Sequence, residues 1–330
     1  MRAIFVYYNM KILFTADVHI KLGQKNVPVD WARNRFHLFI EQFAEMQQQA
    51  DYVIIGGDVF DRLPTMDEVE LYFDFVASIK KPGFIIPGNH EMLKKDTTFL
   101  TYLKKSTHRI NPLVQIIDDF NSDLLAGDVD FIPYNKLKEY DPRDIDMHGR
   151  ILITHVRGEI PPHVKPEVNL DLFSRWDIVL AGDLHSYENS QRNILYPGSP
   201  YTTSFHRSRV DTGAILLDVG SLEHDWLKFN LPQLIRKTVG VNDPKPPTDF
   251  DHTIYQVEGD MAELGELEDS DLIDRKVIKR DTDSALILEA EMTLVEEVKE
   301  YLTYILQLPE DTIEQVLKEM QSYAEKLELD

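Results

Sequence analysis

Five short clusters of Asp, His and Asn recur along the chain. They are Asp17-Val18-His19, Gly57-Asp58-Val59-Phe60-Asp61, Gly88-Asn89-His90-Glu91, Thr154-His155 and Gly182-Asp183-Leu184-His185. Carboxylates, imidazoles and amide oxygens are hard donors that suit Mn, Fe, Zn or Mg. In an Asp-x-His pair on extended backbone both side chains point the same way, so the pair can chelate one ion. A single carboxylate between two ions can bridge them. Two ions ~3.5–4 Å apart clamp a phosphate and generate hydroxide from bound water. Each cluster alone has an ordinary reading. Gly-Asp-x-x-Asp is a common strand-to-turn junction, and a lone His after a strand is commonly packed or on the surface. Their joint occurrence in this order points to a binuclear metal centre.

The elements that must position these residues alternate. Apolar runs predict strands over 11–16, 52–55 and 84–86, and helical spacing predicts helices over 31–49 and 66–79. Further strands are expected at 113–117, 123–133, 150–154 and 177–181, with antiparallel strands at 193–196, 213–219 and 225–230. Each cluster follows one of these strands. Loops at the strand ends of an α/β sheet converge on one edge, which is where ligands gather. The fold class is therefore α/β, two packed sheets with helices outside. Pro244-Lys245-Pro246-Pro247 marks a boundary. Beyond it a strand at 253–258, a helix at 260–269 and a strand at 275–280 predict a small α+β cap domain, and 291–328 predict two helices broken at Pro309.

Composition bounds the chemistry. The 330 residues contain no cysteine, so disulfides and thiolate metal sites are excluded. No apolar run is long enough for a membrane span, the N-terminus does not read as a secretory signal, and cytoplasm is the expected location. Met10 precedes a strong strand and is an alternative start to Met1. The net charge of -22 is uneven, because residues 251–330 hold 23 acidic and 7 basic side chains. Such a surface repels nucleic-acid phosphates, so a DNA substrate would need metals and a basic partner to attract it. There is no Gly-rich dinucleotide loop and no P-loop, which argues against a dehydrogenase or kinase.

The five clusters resemble the calcineurin-like metallophosphoesterases, whose pattern is DxH, GDxxD, GNH(D/E), a lone His and GHxH, and the resemblance runs from Met10 to about Asp218. Tyr196-Pro197-Gly198-Ser199-Pro200-Tyr201, followed by Ser204-Phe205, is similar to a segment of the SbcD-type nucleases, and Gly213-Ala214-Ile215-Leu216-Leu217-Asp218 is similar to the strand after it. The compact chain, without long basic tails, resembles bacterial or phage members. The resemblance implies a metallophosphoesterase sandwich over 10–230, a small capping or DNA-binding domain over 231–285, and a C-terminal helix pair over 286–330 that docks on an ATPase. It implies that Asp17, His19, Asp58 and His185 hold one divalent ion, and that Asp58, Asn89, His155 and Asp183 hold the other, with Asp58 bridging. Manganese is the expected metal. His90 would contact the phosphate and help the leaving oxygen depart. Asp183 departs from the pattern, which has His there. A carboxylate still binds a hard cation, or Asp183 points away and one site is weakened.

The same resemblance implies exonuclease action on double-stranded DNA and endonuclease action on single strands, with an SbcC-type SMC-like ABC ATPase as partner and a homodimer as assembly. A general phosphomonoesterase or cyclic-nucleotide phosphodiesterase would share the metal motifs. A non-catalytic scaffold is the other alternative, resting on Asp183. Arg157 could face phosphate or lie on the surface, and His206 could line the substrate groove. Lys21, Lys25, Arg33 and Arg35 are candidates for a DNA-backbone contact. The apolar helices at 31–49 and 66–79 fit a dimer interface and core packing equally well.

Overall fold

Apolar residues at every second position give each strand two faces, and in the computed structural model of the chain both faces are covered. Residues 10–94, 96–259, 264, 265, 267, 268, 270, 272–277, 293–306 and 308–327 are described. They fall into two units, Met1–Val257 with Glu268–Asp274, and Glu258–Leu267 with Arg275–Asp330. The first unit opens with β1 (Lys11–Thr15), α1 (Val29–Met46), β2 (Tyr52–Ile55), α2 (Met66–Ser78) and β3 (Gly83–Ile85). A short hairpin of β4 (Met92–Lys94) and β5 (Thr97–Thr98) leads to α3 (Phe99–Ile110) and β6 (Val114–Ile116). Then come β7 (Val129–Ile132), β8 (Ile151–His155), β9 (Ile178–Gly182), β10 (Ile194–Leu195), β11 (Gly213–Asp218), β12 (His224–Lys228) and β13 (Leu234–Gly240).

Two sheets result. The larger has the order β12-β11-β1-β2-β3-β6 and the smaller β10-β9-β8-β7. Strands β1, β2, β3 and β6 are mutually parallel, and β11 and β12 run antiparallel at the edge. Strands β7 to β10 are all parallel. Ile12, Phe14, Ile54, Phe84 and Leu217 of the larger sheet pack with Phe131, Ile153 and Leu180 of the smaller to form the layer between them. The alternate residues Leu13, Val53, Ile55 and Leu216 face the helices, joining Phe36, Phe39 and Phe43 of α1 and Leu71, Phe75 and Val76 of α2. Each such fully buried side chain stabilises the fold by roughly 1.5–3 kcal/mol. A third cluster, with Leu152, Val179, Phe173 and Trp176, covers the outer face of the smaller sheet.

Two expectations for this unit need correction. The 193–196 segment is not antiparallel: Ile194 and Leu195 pair in parallel with Val179 and Leu180. A single turn at Tyr187–Asn189 returns the chain to the sheet in the same direction, and the Asn193 amide donates to the Phe173 and Trp176 carbonyls. The 123–133 run is not one strand. Leu125 and Ala126 adopt left-handed backbone (φ 49° and 57°), and the strand begins at Val129. That tight turn still buries Leu125 in the inter-sheet layer. Helix α3 and strand β13 were not expected. Only Leu100 and Thr107 of α3 are fully buried, so its apolar stripe is narrow.

Strand β14 (His252–Gly259) and strand β15 (Ile273–Val277) join β13 in a three-stranded sheet. The helix expected at 260–269 lies largely outside the described residues. In the second unit α4 (Leu294–Glu300) runs into a wider π-type turn at Tyr301–Ile305, and α5 (Glu310–Leu327) follows Pro309. Among the described residues no helix is long and apolar enough to cross a membrane.

Candidate metal centre

The candidate ligands leave parallel strands at their carboxyl ends. Such ends share one edge, so Asp17 after β1, Asp58 after β2, Asn89 after β3, His155 at the end of β8 and Asp183 after β9 approach one another. Backbone hydrogen bonds zip the first two loops together, Asp17 N to Gly57 O (3.0 Å), His19 N to Asp58 O (2.9 Å) and Ile20 N to Val59 O (2.8 Å). Four of the functional residues sit in left-handed backbone: Asp17 (φ 56°), His19 (47°), Asp58 (50°) and Asp183 (102°). The His155 ring enters a slot that only glycine leaves open. A Cβ on Gly57 would lie 2.6 Å from its Nδ1, and one on Gly88 would lie 2.8 Å from its Cε1.

The fully buried Glu91 carboxylate stitches the second and third loops. It accepts from the backbone N–H groups of Asp58 (3.1 Å), Phe60 (2.8 Å) and Gly88 (2.8 Å). Burial first, and then the Asp58 charge, push its pKa up to about 7.

One half of the centre gathers Asp17, His19 and His185. His19 Nε2 lies 3.1 Å from His185 Nε2 and 3.7 Å from Asp58 Oδ2. The other half gathers Asp17, Asp58 and His155. His155 Nε2 lies 3.5 Å from Asp58 Oδ2 and 2.9 Å from Asn89 Oδ1. Carbonyl and hydroxyl groups fix which ring nitrogens face inward. His155 Nδ1–H donates to Gly56 O (2.8 Å), and His185 Nδ1–H donates to Thr203 Oγ1 (3.1 Å). That assignment follows from the hydrogen-bond network. On the His185 side it leaves a lone pair on Nε2, converging on the Nε2 of His19. Such convergence is unfavourable unless a cation lies between, and His19 Nδ1 is likewise buried without a hydrogen-bond partner. The donor set therefore fits hard or borderline divalent ions.

The electrostatics agree. Burial would raise the Asp58 pKa, but His155, His19 and His90 hold it well below the usual carboxylate range. Burial, and then the Asp58 and Asp183 charges, raise Asp17 well above its ordinary value despite His155. His155, whose burial alone would lower it, is pushed up to about 10 by Asp58, Asp17 and Asp183. Burial and the neighbouring imidazoles of His185 and His90 push His19 down to about 3, against the pull of Asp58. The carboxylates that hold a proton on His155 would favour a metal cation in its place.

Asp17, His19, Asp58, Asn89, His155 and His185 thus come together, and His90 stands beside them at the mouth. His90 Nδ1–H donates to the Asp61 carbonyl (2.5 Å), and its Nε2 lies 3.9 Å from Asp58 Oδ2. Asp183 is placed differently. Its N–H donates to the Asp17 carboxylate (3.0 and 3.2 Å), while its own carboxylate accepts from Arg157 Nε (3.0 Å) and Nη2 (3.1 Å). Its Oδ1 remains 4.0 Å from His155 Nε2.

His206 pairs through its backbone with Leu234 and Arg236, and among the described residues no hydrogen bond or ion pair ties its side chain to the centre. Of the four basic residues after the first cluster, Arg35 is buried. It donates to Thr202 O (2.9 Å) and stacks between Trp31 and Tyr201. It therefore holds the 196–205 segment and cannot face solvent DNA. Lys21 is paired with Asp61 (2.7 Å), Lys25 lies 3.7 Å from Asp274, and Arg33 lies 3.5 Å from Asp67.

Sequence reading passed over Asp61, Glu91 and Thr203. Asp61 Oδ1 lies 3.7 Å from His19 Nδ1 and its carbonyl holds His90. The signal for the two acids was their place inside the quoted clusters. Thr203 has none, because its role depends on a loop folding back over His185.

A model of the family described as "Calcineurin-like phosphoesterase" matches residues 10–211. Over 324 residues the chain is 37% identical to "Probable exonuclease subunit 1" of Escherichia phage T5, covering 95% of this chain and 98% of that protein. It is 25% identical over 228 residues to a putative phosphoesterase of Invertebrate iridescent virus 6, covering 63% of this chain and 76% of that protein. A putative phosphoesterase of Invertebrate iridescent virus 3 is 25% identical over 264 residues, covering 71% and 70%.

Proposed function

The chain belongs to the calcineurin-like phosphoesterases, metal-dependent hydrolases of phosphoester bonds, and from that premise we propose that it is the nuclease subunit of an SbcD-type DNA-processing complex. The observation that carries this reading is the convergence of six donor side chains at parallel strand ends with His90 beside them. The exonuclease-subunit relative, matched along nearly all of both chains, supports DNA as substrate and a second subunit as partner.

In this reading two divalent ions, manganese first among them, are held in two sets. Asp17, His19, Asp58 and His185 form one, and Asp58, Asn89 and His155 the other, with Asp183 within reach of the second. Bound ions polarise the phosphate and lower the pKa of water. The chain's own residues do the rest. Asp58 serves both sets. Asp61 orients His90 by accepting its Nδ1–H, so Nε2 faces the substrate. From Nε2 a proton passes to the leaving oxygen. Arg157, held by Asp183 and partly exposed, would contact a phosphate oxygen. His206 contributes at the groove only if its side chain turns from its present position.

The domain reading follows the same lines: nuclease over 10–230, capping domain over 231–285, and helix pair over 286–330 docking on an SbcC-type ABC ATPase. Leu294, Tyr301, Leu306 and Val316 of the second unit expose apolar surface that suits docking. A homodimer would use surface near the start of α2, where Leu63 and Met66 are exposed, because the apolar faces of α1 and α2 are in the core. The partner would also offset the net charge of -22. The expected location is the cytoplasm of a bacterium or of a phage-infected cell.

The test uses wild type and His90→Ala with Mn on end-labelled duplex and single-stranded DNA, with and without the ATPase, and with metal content measured. DNA hydrolysis by wild type, lost in a variant that keeps its metals, supports the reading. Hydrolysis of small phosphate esters alone would make the chain a general phosphatase or a cyclic-nucleotide phosphodiesterase. Absence of bound metal would make it a scaffold.

A further inference from the structure

A cavity of about 250 Å³ opens beside the metal centre, lined by Met92, Asp96, Tyr134, Asn135, Leu137 and Lys138 among others. It shares walls with the centre. The Tyr134 ring meets the His155 ring edge-on, with centroids 5.8 Å apart, and its N–H donates to Pro87 O (3.3 Å), one residue before Gly88. Met92 donates its N–H to Asn89 O (3.3 Å) and is two residues from His90. Asn89 and His155 are themselves in contact, so the cavity abuts that half of the centre.

We infer that this cavity is a nucleobase pocket, receiving the base of a nucleotide that flanks the scissile phosphate. The reading rests on the proposed nuclease activity and deepens it. Size argues for a base. Pockets for whole ligands run from ~300 Å³ upward, so this one takes a single ring system. Chemistry argues the same way. An aromatic ring and a thioether form the sequence-tolerant stacking surface that bases prefer. Asn135 adds a polar group to the wall. Its Nδ2 is committed to Asp118 O (2.9 Å), while its buried Oδ1 has no hydrogen-bond partner. Lys138, exposed at the rim, suits a neighbouring phosphate. The pocket gives the enzyme a hold on an unpaired end that the acidic surface does not provide.

The test measures binding of dAMP and of 2-deoxyribose 5-phosphate to the Mn-loaded full chain by calorimetry, for wild type, Tyr134→Ala, Tyr134→Phe and Met92→Trp. Wild type should prefer dAMP by about five- to a hundred-fold, the stacking contribution of one base. Tyr134→Phe should keep that margin. Tyr134→Ala and the cavity-filling Met92→Trp should lose most of it while retaining affinity for the sugar phosphate. If Tyr134→Ala fails to fold, Met92→Trp decides. Equal binding of the two probes by wild type, or a margin that survives both changes, overturns the pocket. Neither result depends on DNA cleavage, so a chain that binds dAMP through Tyr134 but leaves DNA intact would sink the nuclease reading alone.

Discussion

The two halves of the metal centre are built from the same residue types but are not equivalent. On the His19 side, Asp17, His19 and His185 face each other, and among the described residues no Lys or Arg forms an ion pair with Asp17. On the His155 side, the one residue that breaks the family pattern, Asp183, is already neutralised by a bidentate Arg157. The first half is poised for a cation. The second half carries its own cation within a few ångströms. Asp183, at a proposed ligand position, thus comes with a counter-charge, and the difference teaches that donor type alone does not set metal affinity. The charge held next to the donors matters as much.

The largest way to break the comparison is to remove what the halves share. Asp58→Ala should lower metal content in both and reduce hydrolysis to background, read by elemental analysis and turnover together. His90→Ala should cut turnover by ~10²–10⁴-fold while both ions stay bound, as the proposed role of His90 at the leaving group, and not as a ligand, requires. Thr203→Val removes the acceptor for His185 Nδ1–H and should weaken only the first half, by ~10–100-fold in metal affinity, in a titration that resolves two binding events. Arg157→Ala should act on the other half in the opposite direction. Losing a nearby positive charge should tighten its ion by about ten-fold, a change of about 1.4 kcal/mol, while KM for a phosphodiester rises.

The smallest effect is a graded one with pH. His155 is pushed up to about 10, so the metal-free chain holds its proton at neutrality and an ion must displace it, and the raised pKa of Asp17 acts in the same direction. Apparent affinity should therefore rise with pH up to about 10, with protons released on binding. Calorimetry in buffers of different ionisation enthalpy would reveal an absence of release, which would contradict the ligand assignment.

Much of this was legible in the sequence because strand ends and ligand types are local. The clusters at 17–19, 57–61, 88–91 and 182–185 sit where the apolar runs stop, and period-2 alternation divides Leu13 from Ile12 and Phe14 between two cores. What could not be read is set by non-local packing. Strand β10 is parallel because the turn at Tyr187–Asn189 brings the chain back in the same direction and the Phe173 and Trp176 carbonyls, about 20 residues earlier, hold Asn193 beside the sheet. Arg35, expected among the cations that contact the DNA backbone, is buried because Trp31 and Tyr201 enclose it and Thr202 accepts its hydrogen bond. Asp183 stands in a motif, yet its partner is 26 residues away in sequence, a pairing that only the fold of β8 and β9 creates.

The left-handed backbone at Asp17, His19, Asp58 and Asp183 has an evolutionary consequence. Each of these residues occupies a conformation that glycine adopts freely and that costs a side-chain-bearing residue on the order of 1 kcal/mol. Selection for thermal stability alone would therefore favour glycine at these four positions, and every such gain would delete a charged or imidazole side chain from the centre. A population evolving under heat but without demand for phosphoester hydrolysis should lose these residues early, leaving a more robust and inert sandwich. Their presence in this chain is what selection for the proposed chemistry, and not for stability, would leave.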